Sequence, residues 1–108
     1  MSDLERKEGP GPAVEFETRD DGVIAISGFA YPKRNHDFDA TITVNDTAIG
    51  NVSGNLVDDV TLNLNLFTAR GRLRFYLQNG SEVWVELNIL IMSRGKYYDG
   101  ERYLLKQL

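Results

Sequence analysis

Apolar and polar residues alternate strictly through residues 60–92. Val60, Leu62, Leu64 and Leu66 are interleaved with Thr61, Asn63 and Asn65. Leu73, Phe75 and Leu77 alternate with Arg72, Arg74 and Tyr76, and Val83, Val85, Leu87, Ile89 and Ile91 with Trp84, Glu86 and Asn88. Successive side chains on a strand point to opposite faces, so a period of two over three runs predicts three half-buried strands. Thr68-Ala69-Arg70-Gly71 and Asn79-Gly80-Ser81 separate them as turns. The expected unit is a three-stranded antiparallel meander with one apolar face.

A slip of one residue would send every apolar side chain to the wrong face, so the register must keep the Leu, Phe and Val set together. That condition is met with Leu64 opposite Phe75 and Leu66 opposite Leu73, then Leu77 opposite Val83 and Phe75 opposite Val85. The second hairpin then turns through a three-residue Asn79-Gly80-Ser81 loop, with a glycine in the left-handed region and a bulge. The polar face carries Asn63, Tyr76 and Trp84 in one row and Asn65, Arg74 and Glu86 in the next, with Arg72 beside Asn88.

The rest of the chain reads the same way. Residues 14–18 alternate cleanly, with Val14 and Phe16 inward, and Asp20-Asp21-Gly22 is a turn. Residues 23–31 form a strongly apolar strand in which Gly28 signals a bulge or a close backbone contact, and Pro32 ends it. A polar loop at 33–37 precedes a strand at 38–45 with Ala40, Ile42 and Val44 on one face. A weaker strand at 48–56 follows. After the meander come a loop or long hairpin at 93–100 and a last strand at 101–108, with Tyr103 and Leu105 on one face. Nowhere do apolar residues recur at helical spacing over ten positions. Seven or eight short strands roughly ten to twelve residues apart predict an all-β fold, an antiparallel two-sheet β-sandwich, with a small closed β-barrel as the alternative. Residues 1–13, with Gly9-Pro10-Gly11-Pro12 and no periodicity, read as a disordered or loosely held arm. Residues 14–108 read as one domain, near the usual size for a single core.

Composition removes several functions. The 108-residue chain has no cysteine, which excludes a disulfide framework and thiolate metal sites. A net charge of -4 argues against nucleic acid, whose phosphates require a basic surface. Arg70, Arg72 and Arg74 are the only dense basic cluster. No stretch approaches the ~20 apolar residues of a spanning helix, and the first residues lack a signal-peptide core, so no membrane association and a cytoplasmic location are expected.

Chemistry is equally thin. With one histidine and no thiol, no nucleophilic triad assembles. His36 beside Asp37 and Asp39 reads as a solvated loop histidine. The Asp20-Asp21 and Asp58-Asp59 pairs lack a calcium-loop spacing, and Glu82 and Glu86 share one face rather than flanking a cleft. No catalytic residue, metal ligand or cofactor is assigned, and the chain carries no family signature. Binding remains. By register the lone tryptophan, Trp84, faces outward beside Tyr76, so Asn63, Arg72, Arg74, Tyr76, Trp84 and Glu86 form the candidate ligand-binding set. Trp, Tyr and Arg are the usual anchors of protein contacts. An aromatic platform ringed by amides and charges also suits a sugar ring. The expected function is a non-enzymatic binding or self-assembly module, a homodimer or a partner of another protein. The alternative is a small intracellular lectin-like protein. A strand covered on both faces near Leu90 and Met92, together with an edge strand blunted by little besides Lys106, supports the dimer.

Overall fold

The alternating runs fold into strands over almost their whole predicted length. The computed structural model describes residues 14–20, 23–32 and 36–108. The expected arm at 1–13, the turn residues Asp21 and Gly22, and residues 33–35 of the polar loop lie outside the described residues. In order the strands are β1 (Val14–Asp20), β2 (Ile24–Tyr31), β3 (Asp37–Val44), β4 (Thr47–Asn55), β5 (Val60–Asn65), β6 (Ala69–Gln78), β7 (Glu82–Ile91) and β8 (Lys96–Gln107). A single 3-10 turn at Leu56–Asp58 separates the two halves.

Each half makes its own antiparallel meander, β1-β2-β3-β4 and β5-β6-β7-β8. No ladder joins one sheet to the other among the described residues, so the expected sandwich forms and the barrel alternative falls. Contacts of β1 with β8 and of β4 with β5 show that the sheets stack with like edges aligned. Between them lies one core, in which Phe16, Ile26, Phe38 and Ile42 meet Leu73, Phe75, Val85 and Ile89. The rings of Phe38 and Phe75 interlock across the gap with centroids 5.2 Å apart. Leu56, fully buried, anchors the crossover, and the Asn55 side chain accepts the Val57 N–H at its start. At Gly28 the close backbone contact is present and the bulge is not: β2 pairs with both neighbours without a shift, and an added Cβ would meet Ala40 Cα at 2.8 Å.

The register of β6 with β7 is as expected, with Phe75 opposite Val85 and Leu77 opposite Val83. Asn79-Gly80-Ser81 is the loop, with positive φ at Asn79 (58°) and Gly80 (76°), but the ladder runs into it without the expected bulge. The register of β5 with β6 needs correction. Phe75 faces Val60 rather than Leu64, and Leu73 faces Leu62 rather than Leu66, a slide of four residues along β5. Alternation constrains a register only to even shifts, so the apolar faces still coincide. The cause is the turn. Chain reversal occurs at Leu66-Phe67-Thr68, closed by Leu66 N–H donating to the Ala69 carbonyl at 2.9 Å. Thr68-Ala69-Arg70-Gly71 was the expected turn, yet β6 already begins at Ala69. Gly71 lies inside the strand because a Cβ there would meet Ile89 Cα at 2.7 Å and strike the Asn88 carbonyl. Here glycine marks a close approach of two backbones, not a reversal.

Candidate functional site

The second sheet turns its apolar face to the core and its mixed face outward. Along β7 burial alternates at every step, so Val83 and Val85 are fully covered while Trp84 between them is half-buried on the outer face. The ladders of the second sheet set the rows. Trp84 sits between Tyr76 of β6 and Leu104 of β8. One step on, Thr61, Arg74, Glu86 and Arg102 line up across all four strands. Asn63, Arg72, Asn88 and Asp99 form the next row. The expected pairings Tyr76–Trp84, Arg74–Glu86 and Arg72–Asn88 are therefore present. Asn63 is not beside Tyr76 and Trp84, nor Asn65 beside Arg74: the four-residue slide of β5 moves Asn63 to Arg72, Asn65 to Arg70, and brings Thr61 to Arg74.

Arg74 is the hub of this face. Its Nε and Nη2 both donate to Glu86 Oε1, at 3.2 and 2.9 Å, and its Nη1 donates to Asp59 Oδ2 at 2.7 Å. The hydrogen bonds from Arg74 hold the Glu86 carboxyl below its ordinary range against partial desolvation, and the charges of Arg74 and Arg102 add to the effect. Arg74 is correspondingly raised, first by its hydrogen bond to Glu86. The same guanidinium lies over the Tyr76 ring, 4.4 Å from its centroid. Tyr76 is consequently only 8% exposed, and its buried hydroxyl has no hydrogen-bond partner among the described residues. The Trp84 indole N–H is already occupied, donating to Glu82 Oε1 at 3.0 Å. The six sequence-derived residues thus share one face, but its aromatic part is packed, Arg74 and Glu86 are engaged with each other, and Asn63 and Arg72 are exposed.

The exposed apolar surface is elsewhere on the same sheet. Tyr97 (60% exposed) and Leu104 (46%) stand outward on β8, an edge strand of the sheet. Phe67 (89% exposed) projects from the β5–β6 turn and shares a cleft of ≈ 310 Å³ with Met92 and Arg70. Leu66, read from the sequence as an inward strand residue, is exposed in that turn. Met92 lies past the end of β7 and is exposed, so the expected double cover of the strand does not extend to it. A signal for two of these was present. Tyr97-Tyr98 and Leu104-Leu105 are adjacent apolar pairs, and a strand must send one of each pair to each face. Tyr98 and Leu105 are buried, leaving their neighbours outside.

Among the described residues no group of three or more His, Asp or Glu side chains converges as a metal site. The His36 carbonyl accepts the Leu56 N–H at 2.9 Å, a backbone role at the crossover. No helix among the described residues is long and apolar enough to cross a membrane. No family model, curated protein or solved structure matches this chain.

Proposed function

We propose that the protein is a non-enzymatic binding module that acts by self-association, as a homodimer formed through the second sheet. One observation carries the reading: β8, a twelve-residue edge strand with one ladder neighbour among the described residues, presents Tyr97 and Leu104 to solvent. An edge strand offers a row of unpaired N–H and C=O groups, and a second strand laid against it satisfies them. Aromatic and aliphatic side chains beside that edge add apolar burial to the backbone pairing. The other edges are poorer. β5 has six residues and β1 seven, and β4, nine residues long, contains Gly50 and Gly54 and a register shift against β3.

The lectin-like alternative has less support. A sugar needs an open ring face and free hydrogen-bonding groups, whereas Tyr76 lies under Arg74 and the indole N–H is bound to Glu82. Sedimentation velocity of the full chain across a wide concentration range tests the proposal. A reversible shift from monomer to dimer is expected, while a single monomeric species up to the highest attainable concentration refutes it. Titration of the single tryptophan's fluorescence with a glycan panel tests the alternative, for which a saturable shift would be required.

A further inference from the structure

We infer that the second copy docks on β8 itself, antiparallel, with a twofold axis between Gly100 and Glu101. The inference rests on the self-association reading above and adds the register. Within β8, Tyr97, Asp99, Arg102 and Leu104 all point outward, opposite Leu90, Asn88, Glu86 and Trp84 of β7. Asp99 and Arg102 are three positions apart, yet share a face, because a bulge between Leu87 and Asn88 inserts Gly100 (φ 73°). That bulge changes which self-pairings are allowed. On an unbroken strand, antiparallel partners on one face differ by an even number. Across this bulge they differ by an odd one.

Three registers then set an outward side chain on one side of the bulge opposite an outward one on the other, and the third, with Asp99 opposite Leu104, brings Arg102 against Glu101 of the inward row. The first sets Tyr97 opposite Arg102 of the other copy and leaves Leu104 facing Gly95, outside β8. The second sets Tyr97 opposite Leu104 and Asp99 opposite Arg102, and symmetry repeats both contacts. In the second, two opposite-charge pairs flank the axis and two aromatic–aliphatic pairs flank them. Its axis falls beside a glycine, which has no side chain to accommodate. Both sets of groups are available: Asp99, Arg102, Tyr97 and Leu104 are exposed, and neither Asp99 nor Arg102 forms a salt bridge among the described residues. An isologous interface must be self-complementary under its own twofold axis, and this strand is. The product joins two four-stranded sheets into a continuous eight-stranded one, and the bulges that ordinarily protect an edge meet at its centre.

Charge reversal provides the test, measured by sedimentation equilibrium on full chains. Asp99→Arg places Arg opposite Arg twice, and Arg102→Asp places Asp opposite Asp twice. Each should weaken self-association roughly tenfold or more, because two favourable cross-strand pairs become two repulsive ones. An equimolar mixture of the two variants restores both ion pairs and should form a heterodimer of near wild-type affinity. So should the double variant with itself. The absence of cysteine permits a second readout: Tyr97→Cys and Leu104→Cys chains, mixed under mild oxidation, should cross-link to each other faster than either does to itself. If wild type dimerises but the single charge variants associate equally well, or the mixture fails to recover, the register is wrong and self-association stands. If wild type remains monomeric with its outward β8 amides slow to exchange, another stretch of the chain occupies the edge and both readings fall.

Discussion

Tyr76 shows how one residue on the outer face can be read two ways. Its place in the alternation marks it as exposed, and its neighbours Arg74 and Trp84 make it look like part of a binding platform. In the fold the Arg74 guanidinium covers its ring, and the hydroxyl is buried without a partner among the described residues. A buried hydroxyl that makes no hydrogen bond costs about 1–3 kcal/mol relative to one that does. Tyr76→Phe should therefore leave stability unchanged or raise it by up to ~1 kcal/mol in urea unfolding; a loss larger than that would reveal a bond made by the hydroxyl. Glu86 is a second case in which a neighbour sets the behaviour. Arg74 depresses its folded pKa, so the carboxylate stabilises the fold above its unfolded pKa, and that contribution disappears as pH falls through the folded value. Both groups are partly exposed and screened, which limits the pair to about 0.2–1 kcal/mol. The free energies of urea unfolding of wild type and Glu86→Gln should differ by that amount at pH 7 and converge below the carboxylate range. A constant offset at all pH values would assign the loss to packing rather than charge.

Individual elements were legible where one face is buried and illegible where the pattern alone had to choose a turn. The strands β6 and β7, including the pairing across Asn79-Gly80-Ser81, follow from alternation because only one short loop satisfies both faces. Alternation places β5 in the correct orientation but leaves it four residues out of register, since even shifts cost nothing in face matching. The information needed was the meaning of Gly71, which a sequence presents as a turn residue and the fold uses to let β6 and β7 approach. The same slide displaces Asn63 and Asn65 from their expected rows, so of the six candidate residues the alternation places Arg72, Arg74, Tyr76, Trp84 and Glu86 correctly and misplaces Asn63. The pattern shortens β8 for a related reason: Tyr97-Tyr98 and Gly100 break the period of two, yet the strand continues through two register shifts, at Gly100 and at Leu105. Gly71→Ala tests this account. With φ at 137° and the Asn88 carbonyl in the way, the added methyl should destabilise by about 2–4 kcal/mol. A loss under ~1 kcal/mol would mean that the β6–β7 spacing relaxes freely and that the register has another determinant.

At the level of the whole molecule, each sheet is encoded by one contiguous half of the chain, while both halves contribute to the one core. Every ladder bond of β1 to β4 is local to residues before Leu56, and every one of β5 to β8 is local to residues after Asp58. Ladder hydrogen bonding therefore gives the sheets no reason to meet, and the Asn45 side-chain amide donating to Ser93 Oγ at 2.9 Å is an exposed link at one end. Burial does: Phe38, Ile42 and Ala40 on one side and Phe75, Leu73 and Val85 on the other reach near-zero exposure only when the faces are stacked. At roughly 25 cal/mol per Å² of apolar surface, the inner face of either meander is far too costly to leave in water. Cutting the chain within Leu56–Asp58 and producing the two pieces separately should give fragments that lack native structure or aggregate. Mixed, they should recover the β-sheet circular dichroism and dispersed amide resonances of the intact protein. Because rejoining becomes bimolecular, the midpoint of thermal unfolding of the mixture should rise with concentration, beyond any dependence that dimerisation gives the intact chain. If either half folded alone, the stacking of two apolar faces would not be what holds this sandwich together, and the open edge of β8 would belong to a sheet stable in its own right.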